Sequence, residues 1–109
     1  MNADAWIATF AADAVSHDPV GAPPLEGHDA LRRFFEGICG AFERVSLSED
    51  QVFIAGNGAA VKWRGKGVGK NGRSVTFEGI DVFEINDAGK IKSIYAYWNP
   101  AAMMAELQG

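Results

Sequence analysis

The sequence has 109 residues, enough for one domain, taken as residues 1–109, that buries roughly two-thirds of the surface its unfolded chain would expose. Hydrophobic residues make up 48%, charged residues 22% and aromatic residues 11%, a composition that excludes a disordered chain. The net charge of −4, with ten Lys/Arg scattered among fourteen Asp/Glu, excludes a nucleic-acid surface, and no apolar run approaches the roughly 18 to 20 residues of a membrane span.

The start, Met1-Asn2-Ala3-Asp4, lacks the positive segment of a signal peptide, so a cytoplasmic location is expected. From Trp6 the apolar residues Trp6, Ile7, Phe10, Ala11 and Ala14 fall at helical spacing, which predicts a short first helix with Asp4 near its start as a cap. The stretch 15–27, VSHDPVGAPPLEG, holds three of the four prolines. Because Pro19 disfavours helix at Asp18, an extended segment running into a long turn is expected there. Leu31, Phe34, Phe35, Ile38, Cys39 and Phe42 then recur at i, i+3, i+4, i+7, i+8 and i+11, the clearest periodic signal in the chain. Cys39 is the single cysteine. It has no companion for a disulfide or a metal, and its place in this stripe marks it as core.

After Arg44 the pattern becomes extended. Strands are predicted near 45–54, 59–68, 73–85 and 90–99, punctuated by Gly56-Asn57-Gly58, Lys70-Asn71-Gly72 and Asn86-Asp87-Ala88-Gly89. A closing helix over 100–107 begins at Pro100 and packs through Met103, Met104 and Leu107. Helices followed by a run of strands indicate an α+β fold: a curved antiparallel sheet with helices on one face.

Within the third of these strands, VTFEGIDVFEI, alternation sets Asp81 in phase with Val75, Phe77, Gly79, Phe83 and Ile85. A carboxylate on an apolar face is costly unless it is paired or neutral. Backbone donors could satisfy it, or a small shift of the strand could bring it to water. Asp18 precedes a proline, where an Asp is often only a turn former. Taken together, the two fit another arrangement, in which one carboxylate stays ionised near an apolar cavity while desolvation keeps the other protonated deeper inside. The glycines of GVGKNG match a dinucleotide fingerprint only formally, because a strand follows where that loop must open a helix. The two histidines, His17 and His28, are isolated in loop-like sequence, and neither a metal nor a cofactor is expected.

ATFAADAVSHDPVGAPPLEGHDALRRFF and GIDVFEINDAGKIKSIYAYWNPAAM resemble the steroid Δ5-isomerase branch of the NTF2-like, or SnoaL-like, superfamily. The resemblance implies a cystatin-like cone, a strongly curved antiparallel sheet wrapped around helices, that dimerises through the outer face of the sheet. It also implies the roles of the two acids, since a carboxylic acid held neutral is a known feature of this family. Asp18, in DPVG, becomes the general base that moves a proton on a hydrophobic cyclic ketone from the α to the γ carbon through a dienolate. Asp81, in IDVF, becomes the protonated donor to the enolate oxygen.

A steroid-like ligand would lie against Phe10, Phe34, Phe35, Trp63, Phe77, Ile94 and Trp98. Tyr95 and Tyr97 are set by alternation on the outside. The family's tyrosine-bearing first helix would precede Asp4, so a weakened isomerase or a shortened member is expected. The alternative is a non-catalytic module that binds a hydrophobic ligand or a partner.

Overall fold

The computed structural model describes residues 2–109. In chain order the elements are α1 (Ala3–Ile7), β1 (Phe10–His17), β2 (Leu25–Glu26), α2 (Gly27–Ala41), β3 (Phe42–Ala55), β4 (Gly58–Gly69), β5 (Ser74–Ile85), β6 (Ile91–Tyr97) and α3 (Pro100–Gln108). The strands form one sheet in the order β2-β1-β6-β5-β4-β3. Every neighbouring pair is antiparallel except β1 and β6, which run parallel. This is the α+β architecture expected: a curved sheet with its helices against the inner face.

Period-2 alternation fixes which side chains face in. On β4, Trp63, Gly65, Gly67 and Gly69 are buried while Arg64 and Lys66 are exposed. On β6, Ile94 and Ala96 are buried while Tyr95 and Tyr97 point out. The inner glycines let aromatic rings lie flat on the backbone: a Cβ at Gly65 would come within 2.3 Å of the Phe77 ring. Two apolar clusters result. One joins Phe10, Ala11, Ala14, Leu31, Ile94 and Ala96, beneath α2. The other joins Phe42, Val75, Met103 and Leu107, where α3 closes the sheet. Trp98 packs against both.

The first element departs from the sequence reading. α1 ends at Ile7, and Asn2, not Asp4, caps it, its side chain accepting from the Ala5 N–H at 3.1 Å. Asp4 instead pairs with Arg32 of α2 at 2.8 Å. Phe10, Ala11 and Ala14 belong to β1. The register of β1 against β6 slips between Phe10 and Val15, and this irregularity turns the adjacent Phe10 and Ala11 both inward. Two successive buried residues followed by a third imitate helical spacing, which is why the period misled. Cys39 is half-buried on α2, at the edge of the core rather than within it.

Candidate functional site: an acid pair held by two indoles

Asp18 is the first residue beyond β1, where the chain turns across the sheet through a cis Asp18–Pro19 bond. The turn is tied down by Val20 N–H donating to the Ala96 carbonyl of β6 at 2.9 Å, which holds Asp18 beside Trp98, just past the end of β6. The Trp98 indole N–H donates to Asp18 Oδ1 at 2.6 Å.

Asp81 lies on the inner face of β5, paired with Val61 of β4 and Ala96 of β6. Trp63 of β4 stands opposite Gly79, two residues from Asp81, and its indole N–H donates to Asp81 Oδ1 at 3.0 Å. The two indoles meet edge to face, with ring centroids 5.8 Å apart at 66°. Phe77 touches both, at 5.9 Å from Trp63 and 5.6 Å from Trp98. Gly79 makes this meeting possible, since a Cβ there would lie 2.7 Å from the Trp63 ring and 2.7 Å from the Trp98 Cβ.

Burial raises the pKa of both carboxyls. For Asp18 the push is opposed by the Trp98 hydrogen bond. Asp81 is pushed up to about 6, chiefly by desolvation and further by the negative charge of Asp18, against the opposing Trp63 bond. The shorter bond to Asp18 is the better stabiliser of an anion. Asp81 is therefore the acid that keeps its proton to higher pH. Its neutral form is the majority below about 6. Withdrawal of water by a bound apolar ligand would raise it further.

Asp18, Asp81, Trp63, Phe77 and Trp98 thus come together. Ile94, 8% exposed, and Phe10, 3% exposed, are core. Phe34 stacks on Trp6 of α1 at 6.5 Å and Phe35 lies tilted against it at 5.4 Å, with Phe10 at 4.9 Å from the same ring. Among the described residues no ring pair connects that stack to the indoles at the acids. Sequence reasoning assigned Trp63 and Trp98 as walls and missed their N–H bonds. The signal for Trp63 was its pairing opposite Gly79, which follows from the β4–β5 hairpin register.

Two grooves, of about 710 and 620 Å³, run along the exposed side of β3–β5. Neither includes Asp18 or Asp81. The first is lined by Ser46, Ser48, Arg64, Lys66, Thr76 and Glu78 among others, and Arg64 there is paired with Asp50 at 2.8 Å. Its charged groups, Arg64, Lys66 and Glu78, are all exposed. Among the described residues no group of three or more His, Cys, Asp or Glu is arranged to hold a metal, and no helix is long and apolar enough to cross a membrane.

The SnoaL-like domain model matches residues 1–94. A steroid Δ-isomerase of Nocardioides simplex is 32% identical over 97 residues, which is 89% of this chain and 76% of that enzyme. Among solved structures, the Δ5-3-ketosteroid isomerase from Mycobacterium sp. superposes with a TM-score of 0.79 at 26% identity, covering 93% of this chain and 83% of that one. SalBIII, an epoxide hydrolase/cyclase-like enzyme in pyran ring formation, superposes at 0.81 with 27% identity, covering 92% and 80%. With its curved sheet, its acid pair and a family match over most of its length, the chain belongs to the SnoaL-like family of NTF2-like folds and is a homologue of steroid Δ-isomerase.

Proposed function

We propose that the chain moves a proton within a hydrophobic cyclic ketone, converting a Δ5-3-ketosteroid to its Δ4 isomer through a dienolate. Asp18 as carboxylate takes the proton from the carbon between ketone and alkene. The C–H electrons enter the dienolate, and charge develops on the ketone oxygen. Asp81, carrying its proton, donates a hydrogen bond to that oxygen, and Asp18 then returns the proton to the γ carbon. A donor aimed where charge grows stabilises the transition state more than the ground state.

The observation that carries this reading is the pair itself: two part-buried carboxyls in electrostatic contact, each bonded to a different indole, with Asp81 raised to about 6. Phe77 and the two indoles offer flat apolar surface for fused rings. Among the described residues no arginine forms an ion pair with Asp18 or Asp81. The test adds a β,γ-unsaturated ketosteroid and follows conjugated-enone absorbance. Turnover should fall by about 10²–10⁴ in Asp18→Asn, as expected for loss of a general base. No turnover above buffer, or turnover indifferent to that substitution, overturns the reading.

A second reading, a non-catalytic binding or dimeric interaction module, draws on the outer face of the sheet. Ile80 pairs with Tyr97 and Val82 with Tyr95, and all four are between 39% and 52% exposed. We infer that this apolar face joins two copies of the chain, an inference that a monomer in analytical ultracentrifugation would refute. Tight binding of a steroid-like phenol without turnover would favour the module over the isomerase.

A further inference from the structure

The carboxyl of Asp81 has two oxygens, and the protein treats them differently. Oδ1 accepts the Trp63 indole N–H at 3.0 Å. Among the described residues no protein donor or acceptor is bonded to Oδ2. A neutral carboxylic acid consists of one carbonyl oxygen that accepts and one hydroxyl that donates, and an indole N–H can only donate. The carbonyl oxygen is the stronger acceptor, so the favoured neutral form places the carbonyl against Trp63. We propose that Trp63 is a positioning residue whose indole N–H, bonded to Oδ1, fixes the acid proton of Asp81 on Oδ2 and so aims the hydroxyl at the ketone oxygen of the substrate.

The ring is itself held in place. Phe77 packs edge-on at 5.9 Å, Trp98 packs at 5.8 Å, and Gly79 leaves the space that it fills. Rotation of the indole would lose these contacts together, so the direction of its N–H is set by packing. The inference rests on the proposed role of Asp81 as a neutral donor. It also carries a cost, because the same N–H stabilises the ionised carboxylate and lowers the pH to which Asp81 stays neutral. Trp63 thus trades neutral fraction for orientation.

The charged group whose field reaches Asp81 is Asp18, beyond Trp98. On β4, Lys62 is engaged with Asp50 and Glu78 at 3.4 and 3.3 Å. On α3, Glu106 is exposed.

Trp63→Phe keeps an aromatic ring but removes the N–H together with part of the indole, so two measurements on it, read together, separate orientation from packing. The first is the γ-carboxyl carbon resonance of Asp81, titrated in the ligand-free chain. It should reach its midpoint at higher pH than in the unmodified protein, because a donor to the anion is lost while burial remains. The second is steady-state turnover of the β,γ-unsaturated ketosteroid at pH 7. Here kcat should fall about fivefold to tenfold, the loss of one neutral hydrogen bond, with KM changed by less than about twofold.

The opposition of the two results is decisive, because a larger neutral fraction would by itself raise kcat. A kcat that is unchanged or increased overturns the proposal, and so does an Asp81 midpoint that moves down toward the ordinary carboxylate range, which would make Trp63 only a shield against water. If Trp63→Phe does not fold, the Nε1–H resonance of Trp63 in the unmodified chain replaces it. That resonance must move through the same midpoint as Asp81, and one that ignores the titration overturns the proposal. Absence of ketosteroid turnover in the unmodified chain removes the isomerase reading instead, and the carboxyl titration then decides alone whether Trp63 governs Asp81.

Discussion

Replacing Asp81 by Asn exchanges a titrating carboxyl for a neutral group of the same shape, and its effect on stability should depend on pH. The ordinary value of 3.8 is raised to about 6 in the folded chain. Two units at about 1.36 kcal/mol each give about 3 kcal/mol. A folded-state pKa above the unfolded one means that the folded chain keeps a proton which the unfolded chain has released. The associated stability is complete below 3.8 and is lost as pH rises through about 6.

About 2 kcal/mol of that falls between pH 4.5 and pH 8. Because the carboxyl is only part-buried, solvent screening reduces it to about 1 kcal/mol. Asp81→Asn has no such dependence, so relative to the unmodified protein it should be more stabilising, or less destabilising, at pH 8 than at pH 4.5. The relative gain is about 1 kcal/mol, or roughly 4–8 °C in Tm for a domain of this size. Circular-dichroism melts of both proteins at the two pH values measure it. An identical Tm difference at pH 4.5 and pH 8 would refute the claim that Asp81 is perturbed by its surroundings.

The pH dependence of kcat/KM should be bell-shaped, rising as Asp18 ionises and falling above about 6 as Asp81 loses its proton in the free protein. Asp81→Asn should remove the alkaline fall while keeping more activity than Asp81→Ala, since an amide still offers a carbonyl to Trp63 and an N–H to the substrate. Gly79→Ala would put a Cβ 2.7 Å from the Trp63 ring, the Trp98 Cβ and the Tyr97 carbonyl. It should cost about 1–3 kcal/mol in denaturant unfolding and shift tryptophan fluorescence, and an unchanged midpoint and spectrum would contradict the packing described.

Legibility followed the range of the interactions. The strands from Phe42 to Tyr97 could be read from Gly and Asn turns and period-2 alternation because each pairs with its neighbour in sequence, so local signals carry the register. The helix at Gly27–Ala41 was legible from its apolar stripe, of which Leu31 is the fully buried member. The strand Phe10–His17 was not. Its partner is Ile91–Tyr97, far along the chain and parallel, and its irregular register copied a helical period.

That same long-range pairing delivers Asp18 to Trp98, so alternation could place Asp81 on the inner face but could not bring Asp18 to it. The family resemblance supplied the pairing of the two acids. The donor bonds of Trp63 and Trp98 were hidden because a tryptophan on an inner face reads first as apolar surface, and only the geometry shows where its N–H points.

The most direct test of the acid pair is the γ-carboxyl carbon titration of Asp81 in the unmodified chain beside that in Asp18→Asn. Burial and the negative charge of Asp18 together predict a midpoint near 6 in the first and a lower one in the second. A midpoint in the ordinary carboxylate range, or one that does not move when Asp18 is replaced, would mean that the two acids do not share a site.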